Sequence, residues 1–182
     1  MKISLITLLL IGLAACAPGE GTPPLDVVLL GGTVYSGANA EPVVSDVGIS
    51  GDRVIAVGDL AEHPADLRLD VSGLAVVPGF IDIHSHAVRS EPNDGIFRWP
   101  DAENLIRQGV TTVLGGPDGG SPLPITDTLT AIEENPASVN FGTFVGHGSI
   151  RGLVIGEEDR PPTDEELDRM RAEVQKAMEA GA

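Results

Sequence analysis

The sequence predicts an α/β chain in two parts: a small all-β unit from about residue 25 to 77, followed by a parallel sheet with helices outside it. Three observations carry this. Short β-branched runs separated by glycine turns fill the first part, a strand-then-helix rhythm begins after Pro78-Gly79, and a capped amphipathic helix closes the chain.

In the first part, Leu25-Asp26-Val27-Val28-Leu29-Leu30 runs through Gly31-Gly32 into Thr33-Val34-Tyr35. This reads as a strand, a turn or bulge, and a further short strand. Asp46-Val47-Gly48-Ile49 and Arg53-Val54-Ile55-Ala56-Val57 flank Ser50-Gly51-Asp52, a tight hairpin signal. Leu67 to Val71 and Leu74 to Val77 make a third pair around Ser72-Gly73. In the second part, Phe80 to His84 reads as a strand and Pro100 to Gly109 as a short helix ending at glycine. Val110 to Leu114 is a strand, Thr126 to Glu134 a helix, and Val139 to Val145 a strand entering Gly146-His147-Gly148. In the last helix Thr163 and Glu166 form a capping box. Leu167, Met170, Val174 and Met178 draw one apolar stripe along it, expected to pack on a sheet.

Composition bounds the function. Eleven Lys and Arg stand against 27 Asp and Glu, a formal charge of −16. Phosphate binding needs clustered positive charge, so nucleic acid is not an expected partner. The single cysteine, Cys16, permits no internal disulfide. It follows Met1-Lys2, an apolar run from Ile3 to Leu13, and Ala14-Ala15, the three regions of a secretory signal. Leu13-Ala14-Ala15-Cys16 resembles a bacterial lipobox. That implies cleavage after residue 15, lipidation of Cys16, and a Gly/Pro-rich tether over 16–24. The expected location is the bacterial cell envelope, lipid-anchored on the periplasmic or outer-membrane side. An ordinary secretory signal with an incidental cysteine is the other reading.

The chemistry concentrates at strand ends. Val77-Pro78-Gly79-Phe80-Ile81-Asp82-Ile83-His84-Ser85-His86 is an apolar run ending in His-x-His. On a strand, Asp82, His84 and His86 share a face, and two adjacent imidazoles make half of a zinc-type site. Alone, the pair reads equally as two surface histidines. Asp118 and His147 then follow the next two strands, so three successive strands bring polar residues to one rim, where α/β sheets place their sites.

Gly-Gly-Thr-Val (31–34), Gly-Asp-Arg-Val-Ile-Ala-Val-Gly (51–58) and Val-Val-Pro-Gly-Phe-Ile-Asp-Ile-His-Ser-His (76–86), in that order, resemble the amidohydrolase superfamily. Gly109-Val110-Thr111-Thr112-Val113, Val145-Gly146-His147-Gly148-Ser149-Ile150-Arg151 and Arg160-Pro161-Pro162-Thr163 resemble its N-acyl-D-amino-acid deacylase branch. The resemblance implies a metal-dependent (β/α)8 barrel preceded by a small β-sandwich, with domains at 25–78 and 79–182. It implies hydrolysis of the C–N bond of small-molecule amides, most simply N-acyl-D-amino acids, with one or two zinc ions as cofactor.

His84 and His86 match the family's metal ligands on the first strand, while Asp82 is expected to steady the strand or to orient the ligating histidines from behind them. Where D-aminoacylases carry Gly-Asn-Cys-Gly with a ligating cysteine, this chain has Gly116-Pro117-Asp118-Gly119. Asp118 is therefore either a substitute ligand or the Asp of an ordinary Pro-Asp-Gly turn. His147 is carried over as a pocket residue, the alternative being a buried hydrogen-bonded histidine. Arg151 is a candidate for a substrate carboxylate, the alternative being an exposed loop arginine.

About three βα units are present where the barrel has eight, and the family's later histidines and catalytic aspartate have no counterpart. The expectation is an amino-terminal fragment, inactive alone, with no catalytic residue of its own. Two alternatives are a degenerate non-enzymatic surface lipoprotein and a dihydroorotase- or dipeptidase-type amidohydrolase.

Overall fold

A computed structural model describes residues 24–38, 40–88 and 94–182. The predicted signal, Cys16 and nearly all of the tether lie outside the described residues. The chain divides into two compact units, one ending at Pro78 and one beginning at Gly79.

The first unit is a five-stranded sheet of β1 (Leu25–Val34), β2 (Val43–Ser50), β3 (Arg53–Gly58), β4 (Ala65–Asp70) and β5 (Ala75–Val76). The strand order is β3-β2-β1-β4, with β5 also on β1. The β2–β3 hairpin turns at Gly51-Asp52, as the sequence predicts. Gly31-Gly32 is a bulge inside one long strand, with the register shifting between Leu29 and Gly32. Gly31 takes the left-handed φ of 68° that the bulge needs. Its N–H donates to Oδ1 of Asp46 at 2.8 Å, and the other carboxylate oxygen accepts from Leu60 N–H at 2.9 Å. Those two amides, Leu60 first, hold the Asp46 carboxyl below its ordinary range. Leu25, Val28 and Leu60 form the core beneath, and a β-carbon on Gly48 would lie 2.8 Å from Leu25 Cδ1.

The third expected pair is corrected. β4 and β5 do not pair with each other; both run parallel to β1, β4 along its first half and β5 at its end. Val71 to Leu74 makes a tight turn, Leu74 N–H to Val71 O at 3.0 Å, without reversing the chain.

The second unit has three parallel strands in the order β6-β7-β8: β6 (Phe80–Asp82), β7 (Val110–Gly115) and β8 (Asn140–Thr143). Helices α1 (Glu103–Ile106), α2 (Ile125–Glu134), α3 (His147–Ile155) and α4 (Asp164–Glu179) connect and follow them. Val113 is fully buried and centres a cluster with Val88, Ile96, Ala102 and Val139. β6 stops at Asp82, two residues before the expected strand end.

α3 is the larger departure, because no helix is predicted after Gly146-His147-Gly148; Arg151 therefore sits on a helix and not in a loop. α4 carries the predicted capping box, with Thr163 Oγ1 accepting from Glu166 N–H and Glu166 accepting from Thr163 N–H. Its stripe is used differently from the expectation. Met170 packs with Ile150 and Ile155 of α3 rather than on a sheet, while Val174 and Met178 stay exposed.

Candidate metal centre

The site begins where β6 stops. Oδ1 of Asp82 accepts the backbone N–H of His84 at 3.0 Å, an Asx turn that releases the chain from the strand. Ser85, buried, donates its N–H to Leu114 O of β7 at 3.0 Å, and its hydroxyl oxygen accepts from Ala87 N–H at 3.0 Å. The middle residue of His-Ser-His is thus pinned to the neighbouring strand end. The imidazoles on either side are left free, their ring centroids 6.0 Å apart.

Asp118 reaches both rings from the end of β7. Its Oδ1 lies 3.0 Å from His84 Nε2 and its Oδ2 2.9 Å from His86 Nε2. One carboxylate thus addresses two imidazoles with one oxygen each. Gly116 O accepts the N–H of Gly119 at 3.3 Å, which makes Gly116-Pro117-Asp118-Gly119 a turn with Pro and Asp at its corners. The two sequence readings of Asp118 are therefore compatible: the turn aims the side chain at the histidines.

His84, His86 and Asp118 are the residues among those described that could hold a metal ion, one donor atom from each lying within 4.8 Å of the others. The donor set fits. Two donors each about 2.1 Å from one tetrahedral zinc stand roughly 3.4 Å apart, so each histidine-to-Asp118 spacing needs to open by only a few tenths of an ångström, and the whole donor set lies within 4.8 Å. All three side chains are more than half exposed, at 62, 56 and 55%. His86 and Asp118, but not His84, border a concavity of about 340 Å³ lined also by Ser85, Val88, Gly116, Pro117 and Gly120.

The other two expected residues fall elsewhere. His147 is the first residue of α3, exposed and outside the His84–His86–Asp118 group. Arg151, about one turn on, donates to Gly156 O at 3.2 Å, Glu158 O at 2.6 Å and Arg160 O at 2.9 Å. Its guanidinium ties down the segment after α3 as a clamp on three backbone carbonyls.

Sequence reasoning missed Ser121 and Ser149. Gly146 N–H donates to Ser121 Oγ at 2.8 Å, Ser121 N–H to Ser149 Oγ at 2.8 Å, and Ser149 Oγ–H to Ser121 O at 2.7 Å. Ser149 N–H donates to Gly119 O at 3.1 Å. Serines directly behind glycines, in Gly119-Gly120-Ser121 and Gly148-Ser149, are the signal available in the sequence.

A short parallel sheet with a His-x-His and a carboxylate on neighbouring strand ends defines a metal-binding amidohydrolase scaffold. Comparison with known proteins agrees. No family model matches the chain. It is 37% identical to a D-aminoacylase of Alcaligenes xylosoxydans xylosoxydans, over 87% of this chain and 37% of that protein. An N-acyl-D-aspartate deacylase of the same organism is 33% identical over 86% of the chain and 35% of its own length. Among solved structures, a D-aminoacylase superposes with a TM-score of 0.76 at 36% identity, over 87% of this chain and 37% of that one. An N-acyl-D-glutamate deacylase from Bordetella bronchiseptica, complexed with zinc and a phosphonate inhibitor, gives 0.76 at 28% identity, covering 86% and 37%.

The chain is thus homologous to D-aminoacylase and the N-acyl-D-amino-acid deacylases, within the amidohydrolase superfamily. Its second unit is part of a (β/α)8 barrel, and the chain spans little more than a third of the length of these relatives.

Proposed function

We propose that this chain contributes the His84–His86–Asp118 corner of a zinc-dependent amidohydrolase that cleaves N-acyl-D-amino acids or closely related small amides. The observation that carries the reading is the Asp118 carboxylate set between the two Nε2 atoms, at 3.0 and 2.9 Å. Homology to D-aminoacylase and the deacylases supports the reaction class. When bound, zinc supplies Lewis acidity, lowering the pKa of water and polarising the scissile carbonyl.

The chain's own residues prepare the place for it. Asp82 bends the backbone away from β6, and Ser85 anchors the segment to β7. His84 and His86 offer two neutral donors. Asp118 offers a negative one, so the corner leaves one positive charge of a divalent ion uncompensated, which favours an electron-rich carbonyl oxygen. Whether one ion or two are held rests on donors beyond these three. Lipidation at Cys16 and a place in the bacterial cell envelope belong to the same proposal and rest on Leu13-Ala14-Ala15-Cys16 alone.

The direct test is metal stoichiometry of the purified protein and of its His84→Ala/His86→Ala variant. Loss of bound zinc in the variant is expected; unchanged stoichiometry would remove both histidines from the ligand set.

A further inference from the structure

We propose that Ser121 and Ser149 are positioning residues for the metal centre, acting through the loop that carries Asp118. The inference rests on the proposed metal role of His84, His86 and Asp118.

The amino-terminal amides of α3 have no partner inside the helix, and its cap residue, Gly146, has no side chain to serve them. The β7 loop supplies the cap instead. Gly119 O takes the N–H of Ser149, and Ser121 Oγ takes the N–H of Gly146. The reciprocal bonds between Ser149 Oγ and the backbone N–H and C=O of Ser121 close the arrangement. Four hydrogen bonds therefore hold residues 119–121, immediately after Asp118, against the start of one helix.

The hydroxyls are committed by this geometry. Ser149 Oγ both donates and accepts within the loop, and Ser121 is 4% exposed. Both hydroxyls are taken up by bonds to the loop and to the start of α3, so neither is offered here as a ligand. Their effect is on where the Asp118 carboxylate stands. A turn held only by the 3.3 Å bond from Gly119 N–H to Gly116 O would let that side chain wander. With its far side fastened to α3, the loop keeps one carboxylate oxygen on each imidazole before any ion arrives. Groups that orient ligands in this way typically contribute about 10- to 100-fold in metal affinity.

The test is a zinc titration of the protein against a chromophoric chelator, for wild type, Ser149→Ala, Ser149→Thr and Ser121→Ala, with far-UV circular dichroism on each metal-free sample. Ser149→Ala is expected to weaken zinc binding by about 10- to 100-fold at unchanged helix content. Ser149→Thr, which keeps the hydroxyl, is expected to restore it to within a few-fold. If Ser149→Ala does not fold, Ser121→Ala, which removes only the bond from Gly146 N–H, carries the test, with a smaller loss in the same direction. Folded variants binding as tightly as wild type would overturn the proposal. Absence of zinc binding by the wild type itself, or its persistence in His84→Ala/His86→Ala, would instead overturn the metal site on which the proposal rests.

Discussion

No β-carbon fits between Gly146 and Gly119. One built on Gly146 would overlap the carbonyl oxygen of Gly119 and lie 2.6 Å from its carbonyl carbon. The backbone at Gly146, with φ −75° and ψ 123°, is open to any residue, so glycine is required there for closeness and not for conformation. The contact joins the Asp118 loop to α3, which makes packing and the proposed metal binding parts of one arrangement.

Gly146→Ala tests that link. The added methyl must push the Asp118 loop away from α3, at a cost of about 1–3 kcal/mol, the usual range for overpacking. Urea denaturation of the metal-free protein should show this loss, and zinc affinity should fall with it. An alanine variant of wild-type stability would mean that the loop yields at no cost.

Asp118→Asn separates the two readings of the Pro-Asp-Gly turn. Asparagine serves the turn as well as aspartate does, so the fold should be retained. It lacks the charge that a divalent ion needs from this corner, and zinc affinity should fall by at least about tenfold. Competition with a chelator measures it. Wild-type affinity in the asparagine variant would return Asp118 to a turn role alone.

How much of this was legible in the sequence depends on how local the cause is. The β2–β3 hairpin is written in Gly51-Asp52 and the start of α4 in Thr163 and Glu166, because each motif satisfies its own backbone within four residues. His84, His86 and Asp118 were legible as separate candidates; that one carboxylate meets both rings is a property of β6 lying beside β7.

α3 was hidden for two physical reasons. Gly148, Ser149 and Gly152 are poor helix formers, and the helix is capped from Ser121, 25 residues before Gly146. β4 and β5 misread as a hairpin because the Ser72-Gly73 turn signal is real while the chain's direction is decided by β1. β6 was read too long because Ile81, Asp82 and Ile83 alternate as a strand does, yet the Asp82 side chain takes the His84 amide and ends the ladder.

The junction entering α4 makes the stability of this unit depend on pH in a stated direction. Glu166 meets Arg160 in a bidentate pair, at 2.7 and 2.8 Å, and also accepts the N–H of Thr163. The Arg160 guanidinium, and then the Thr163 amide, bring the Glu166 carboxyl down to about 2 from an ordinary 4.5, while its two carboxylate partners push Arg160 upward. A carboxyl depressed in the folded state stabilises the fold above its unfolded value, and that contribution fades as pH falls from 4.5 towards 2. Glu166→Gln should therefore be less stable than wild type at neutral pH, with the gap closing across that interval. Thr163→Ala, which removes the other half of the box, should cost about 1 kcal/mol at neutral pH, and acid should narrow that gap only in part: the hydroxyl also helps to lower the Glu166 carboxyl, but its bond from Glu166 N–H does not titrate. Denaturant unfolding of the three proteins at a series of pH values measures both effects. A Glu166→Gln gap that stayed constant down to pH 2 would show that the pair with Arg160 carries no ionic contribution to the entry of α4.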